Sequence, residues 1–311
     1  MSAVGPGPRA TRHWKLAKER GLKTIAKVQL NNSWELAAVP YIPVLDLVAE
    51  HCKNLAGANV DGIMLSWTLG GYPSMNLEVA QQFSKTPTAT VDEVLTKIAT
   101  KHFGEKGGPH ARAAWSAFSA AFREYPYDGA VVNMGPHLAG PSNHLFLEPT
   151  KYSATMVGFP YDDLDRWRGP YPSEVFTAQF EKVATGWKRG LDELHKAVDS
   201  APADRRSEAV ADERIAEAAL LHFESVVNQA KFVMLRDRVQ DSASTAGQKE
   251  TATAQMIILA EDEIRIARRM LTLTSLDSRI GYEASNHYLY LPQDFVEKAI
   301  QCLYVIQQLK Q

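Results

Sequence analysis

Apolar and polar positions alternate with a period of two over Thr24–Leu30, where Ala26, Val28 and Leu30 share one face. Lys27, Gln29, Asn31, Ser33 and Glu35 share the other face if the extended conformation persists, so this stretch reads as a strand with a polar side. The period then changes. In PVLDLVAEHCKNL, Pro43 suits a first helical turn, and Val44, Leu47, Val48, Cys52 and Leu55 recur at helical spacing. A second apolar run, VDGIMLSW, ends in TLGGYPSMN. Strand, helix and strand at these lengths predict a right-handed βαβ crossover, which in a parallel sheet or barrel gathers chemistry at the strands' carboxyl ends.

Helical spacing dominates elsewhere. Pro8–Arg20 precedes the first strand and stops at Gly21, and Asn76–Phe83 forms a short helix after the second. Thr90 and Glu93 have the spacing of a capping box, Gly104 ends that helix, and Pro109–Tyr125 forms the next. Long amphipathic helices are predicted over Ser173–Val198, Arg206–Val239, Thr251–Leu273 and Pro292–Lys310, joined by short connections that suit an antiparallel bundle. Pro126–Pro172 breaks the pattern with Gly, Pro, Asn, His and aromatic residues. A connection of this length and aromatic content is expected to be ordered and packed over the strand ends. The division that follows is an α/β segment, residues 1–85, and a mainly α-helical domain, residues 86–311, with the long loop at 126–172.

Composition narrows the function classes. The chain has 311 residues, 45% hydrophobic and 23% charged, and a net charge of −2. It has no general basic field for nucleic acid. No window is apolar enough for a membrane span and the N-terminus lacks a signal peptide's apolar run, so the expected location of the chain as given is cytoplasmic, unless a segment upstream of Met1 carries a signal. Cys52 and Cys302 both fall on apolar helix faces and read as buried thiols. GPGP near the N-terminus lacks the spacing of a phosphate-binding loop, and no nucleophile elbow, Cys/His pairing or dinucleotide fingerprint occurs. His137, His144, Asp162, Asp163 and Asp165 match no metal-ligand spacing. Neither a metal nor a cofactor is expected.

Glu35 is the candidate catalytic carboxylate, since it follows a strand and has polar neighbours; the plain alternative is a salt-bridged loop residue. Trp34, Trp67 and Tyr72 could stack on the apolar face of a sugar ring, or serve as core aromatics. Asn31 and Asn32 complete the candidate substrate-binding set. The segment Asp277–Pro292, dense in Tyr, Asn and His, either reaches a ligand cleft or caps the bundle.

KVQLNNSWE, DGIMLSWTLGGYPSMNLEVAQQF, TVDEVLTKIATKHFG and ARAAWSAFSAAFREYPY, taken in order, resemble the C-terminal part of (β/α)8-barrel glycoside hydrolases related to β-N-acetylhexosaminidases and α-glucuronidases. The resemblance implies a barrel remnant of two βα units, similar to the seventh and eighth, followed by a helical bundle, mostly α overall. It also implies a carbohydrate substrate, with Glu35 at the nucleophile position. Such hydrolysis uses two carboxyl groups, and in these barrels the acid follows the fourth strand, which this chain does not contain. Glu148, Asp162, Asp163 and Glu283 are the substitutes within the chain. A homo-oligomer or a separate N-terminal barrel portion would supply missing strands, and without either the isolated chain is expected to be inactive. The competing expectation is a non-catalytic carbohydrate-binding or helical interaction module.

Overall fold

A computed structural model describes residues 1–65, 72–155, 158–283 and 287–311. The fold is mostly helical, with 66% helix and 4% strand. Helix α1 (Pro8–Glu19) leads into β1 (Ile25–Val28), α2 (Leu45–Gly57) and β2 (Gly62–Leu65). The two strands pair in parallel, Ile25 opposite Gly62 and Val28 opposite Leu65, so α2 is the crossover its spacing predicts. Its buried stripe is Leu45, Leu47, Val48, Ala49, Cys52 and Leu55.

The strand is shorter than the alternation implies. Regular pairing ends at Val28, and Leu30, Asn31, Asn32, Ser33 and Glu35 are all buried, so the division into one apolar and one polar face does not continue to Glu35. The chain instead turns inward, with Ser33 bridging Leu36. From Leu36 to Leu45 nearly every side chain is buried, and this segment wedges the strands against the helices that follow.

Helix α3 (Met75–Lys85) is capped by the Ser74 hydroxyl, which accepts from Leu77 N at 3.2 Å. Helix α4 (Val91–Phe122) starts at the reciprocal Thr90–Glu93 capping box and kinks at Gly104, whose φ of 73° is left-handed. A side chain at Gly104 would also meet the Pro202 ring at 2.8 Å, so the kink and its neighbour both require glycine.

The 126–172 stretch holds α5 (Gly129–Met134), two 3-10 turns (Pro136–Leu138 and Gly140–Ser142) and α6 (Leu164–Trp167). Three long helices follow, α7 (Ser173–Ser200), α8 (Arg206–Gln240) and α9 (Ala246–Leu276), then a small antiparallel pair, β3 (Tyr282–Glu283) with β4 (His287–Tyr288), and α10 (Pro292–Leu309). Helix α9 starts earlier than its hydrophobic period suggests, because Thr245 and Gln248 form a second capping box.

One contiguous cluster of buried residues runs from Ala26 to Phe295. Its centre is aromatic: Phe118 and Trp187 have ring centroids 4.6 Å apart, Trp187 and Phe223 5.2 Å. The indole nitrogen of Trp187 donates to Ala216 O at 2.9 Å, so the large ring is buried without an unpaired donor. No helix among the described residues is long and apolar enough to cross a membrane.

Candidate functional site

The segment that leaves β1 is tied to residues 72–76 and to its own continuation by side-chain amides. Asn31 Nδ2 donates to Tyr72 O at 2.7 Å, and Ser74 Oγ donates to Asn31 Oδ1. Asn76 Nδ2 donates to Leu30 O at 2.7 Å and to Ile42 O at 2.9 Å, while Asn32 Nδ2 donates to Val39 O at 3.0 Å. Irregular backbone leaving a parallel sheet has carbonyls without ladder partners, and these buried amides satisfy them. Asn31 and Asn32 therefore shape the loops through their own side chains.

Glu35 lies inside this frame, its carboxylate buried against the chain's own groups. The Met1 α-ammonium pairs with Oε2, Ser33 Oγ donates to Oε2 at 2.7 Å, and Ser2 reaches Oε1 through its hydroxyl and through its amide at 3.0 Å. Burial pushes the Glu35 carboxyl up, but the ammonium and the donated hydrogen bonds outweigh it and hold the group below its ordinary value. It is a carboxylate at neutral pH.

The long loop reaches this site. Burial pushes the His137 imidazole down to about 4, against the pull of Val132 O, the Glu35 charge and the Trp34 backbone. Its Nε2 lies 3.4 Å from Tyr125 OH and 3.2 Å from Val132 O. Farther in, His222 Nε2 donates to His137 O at 2.6 Å, and burial pushes that ring down to about 4 as well. Both histidines are neutral, polar core residues.

A second carboxyl group stands at the other end of the wedge. Tyr41 OH donates to Asp212 Oδ1, joining the segment after β1 to α8 across 171 residues. Burial pushes Asp212 up to about 6, although Tyr41, His102 and Arg279 favour its charged form. Burial, with Asp212 next, also raises Tyr41 well above the usual phenol value. Arg279 is oriented by Asp277, Nη2 to Oδ2 2.6 Å, and its guanidinium carbon lies 5.8 Å from the Tyr72 ring centroid, a cation–π contact. Tyr41, Tyr72, Asp212 and Arg279 thus form a linked group of half-buried and buried side chains beside the strand ends.

Sequence reasoning did not single out Tyr41, Asp212 or Arg279. Asp212 sits in ADERI, which reads as an ordinary charged helix face, and nothing local marks its distant phenol partner. Trp67 lies outside the described residues, as does the side chain of Glu283. The other substitute carboxylates are engaged elsewhere: Asp162 with Arg236 at 2.8 Å, Asp163 as the cap of α6, and Glu148 with Gln240 at 2.9 Å. Among the described residues no three His, Cys, Asp or Glu side chains converge as metal ligands.

Comparison with protein-family models, with curated proteins and with solved structures gives no match.

Proposed function

We propose that this chain is a glycoside hydrolase-like protein with a carbohydrate site at the carboxyl ends of β1 and β2, its two βα units being the closing part of a (β/α)8 barrel. One observation carries the reading: the segment leaving β1 connects to two buried carboxyl groups whose proton affinities are pushed in opposite directions, Glu35 within that segment and Asp212 through the Tyr41 hydroxyl. Glu35 is held below the usual carboxylate range, and Asp212 is raised to about 6. Such a division is what acid and base roles in glycoside hydrolysis require. In this mechanism the Asp212 carboxyl protonates the leaving glycosidic oxygen. Glu35 attacks the anomeric carbon or takes a proton from water, and Tyr72, with Trp34, offers a face for the sugar ring. The Met1–Ser2 segment leaves Glu35 before substrate reaches it.

The closure of Glu35 favours a second reading, a non-catalytic carbohydrate-binding chain, because both carboxylate oxygens already have partners. A panel of aryl glycosides, with calorimetric titration of the same sugars, separates the two. Hydrolysis that falls at least about a hundredfold in both Glu35→Gln and Asp212→Asn supports the enzyme. Binding without turnover supports the module, and absence of both removes the carbohydrate reading.

A further inference from the structure

Helix α1 fully buries none of its residues. Trp14 packs against the core from its inner side and Lys18 Nζ donates to Ala58 O at 3.1 Å, so the helix is held while its other side faces solvent. On that side stand Arg9, Arg12, Lys15 and Arg20, all exposed, and among the described residues none of the four pairs with a carboxylate. Arg9, Arg12 and Lys15 follow one another at i, i+3 spacing with no acidic residue in the first turn, an arrangement that repels itself and opposes the helix dipole. Leu16, one turn from both Arg12 and Arg20, is 45% exposed among them, and Leu22 beyond the helix is 61% exposed. Residues 8–23 hold six of the chain's 34 cationic side chains and one of its 36 acidic ones, a net of +5. The whole chain is −2, so the remainder is −7 and positive charge is concentrated here.

We propose that α1 docks on the surface of a bilayer containing anionic phospholipids, with Arg9, Arg12, Lys15 and Arg20 against the headgroups and Leu16 inserted between them. The charges select the partner, because negative charge relieves the repulsion along this face and the chain's own carboxylates do not reach these four residues. Cations flanking an apolar side chain on one helix face are the pattern of a helix lying in a bilayer interface. A nucleic-acid backbone would engage the cations but leave Leu16 and Leu22 in water. Trp14, the aromatic ring of the helix, packs toward the core and is not free to stack on bases.

Each Lys or Arg beside an anionic surface strengthens binding about fivefold. The four outward cations less the exposed Glu19 leave three net charges, so a preference of about a hundredfold for anionic over neutral bilayers follows. Contacts of this kind are reversible and weaken with salt.

Flotation of the full chain with vesicles of phosphatidylcholine alone, and of phosphatidylcholine with about 30% phosphatidylserine, tests the proposal. The chain is expected to bind the anionic vesicles about a hundredfold more tightly and to leave them as salt rises from about 0.05 to 0.5 M. Arg9→Glu with Arg12→Glu should weaken binding at least about twentyfold with an unchanged circular dichroism spectrum, since acidic residues suit a helix N-terminus. Lys106→Glu with Lys188→Glu makes the same change in net charge at exposed positions of α4 and α7 and should weaken it less than about threefold. Leu16→Ser with Leu22→Ser, which leaves every cation in place, should weaken it at least about fivefold. No binding to the anionic vesicles, or equal loss in the two charge-reversal variants, overturns the surface. Binding of a short DNA duplex as tight as that of the vesicles, indifferent to the leucine substitutions, would assign α1 to nucleic acid and overturn the lipid partner.

Discussion

Lys298 on α10 and Glu263 on α9 form an ion pair shut off from solvent, with Nζ 2.7 Å from Oε2 and both side chains 0% exposed. Ser225 Oγ donates to the same oxygen at 2.9 Å, Asn228 Nδ2 donates to Oε1 at 3.0 Å, and Lys298 also donates to Asn143 O. The pair therefore ties α8, α9, α10 and the long loop at one point. Removing one charge strands the other in a low-dielectric interior. Lys298→Met should cost about 3–5 kcal/mol in urea unfolding, and Lys298→Met with Glu263→Met should recover at least half of that. Equal losses in the single and double variants would show that the attraction between the charges is not what matters.

Gly140 opens the second 3-10 turn with a φ of 58°, and a Cβ there would sit 2.1 Å from a carbon of the His222 ring. Strained backbone and forced overpacking coincide, so Gly140→Ala should destabilise by about 2–4 kcal/mol. A Cβ at Gly129 would meet nothing within 4 Å, and the backbone there is not left-handed, so Gly129→Ala is the control and should stay near neutral. Limited proteolysis should cut residues 126–172 faster in the Gly140 variant only.

Acid should unfold the protein through its buried imidazoles. His137 and His222 both lie at about 4 when folded, against 6.5 for an unperturbed group, so the unfolded chain binds more protons between those values. Their stabilising contribution is complete above pH 6.5 and is lost as pH falls toward 4. At about 1.4 kcal/mol per pH unit, each can account for roughly 3 kcal/mol at most. Asp212, raised to about 6, works the other way: the folded state takes its proton first and recovers part of the loss below pH 6. Glu35, held low, adds to the loss once pH falls below its ordinary 4.5. Unfolding free energy should drop by a few kcal/mol between pH 7 and 4, a net effect of these opposing shifts. His222→Gln should flatten the slope, and a flat profile in the unsubstituted protein would contradict this account.

Hydrogen exchange should separate the strands from the bundle. Among the described residues β1 has β2 as its ladder partner, and Ile25, Met64 and Leu65 remain exposed beside it. Ala218–Val233 of α8 is mostly buried. Amides of Ile25–Val28 are therefore expected to exchange faster than those of Ala218–Val233, by on the order of a thousandfold. Equal protection would mean that the strand pair opens only with the whole chain.

The helices, the parallel crossover and the mostly α character are legible in the sequence because each is a local pattern. Helical period marks α2 and α8, the reciprocal Thr90–Glu93 cap marks the start of α4, and the length between β1 and β2 implies parallel pairing, while the Thr245–Gln248 cap starts α9 ahead of the Thr251 that periodicity alone suggests. Glu35 and its polar neighbours are equally visible, and so are the aromatic residues of the long loop. What surrounds them is not. Alternation suggests a polar face running to Glu35, yet the chain leaves the ladder after Val28 and buries both kinds of residue, because the helices supply a second wall. Lys298 falls on the inward stripe of α10, a place where a lone sequence offers no partner; the partner is Glu263, one helix earlier. Asp212 looks like any solvated helix carboxylate until Tyr41 arrives from 171 residues away. Periodicity reports which side of an element is wet or dry, a property of neighbouring residues. The proton affinity of a carboxyl group depends on the charges and donors that packing brings within a few ångströms, and only the tertiary structure decides those.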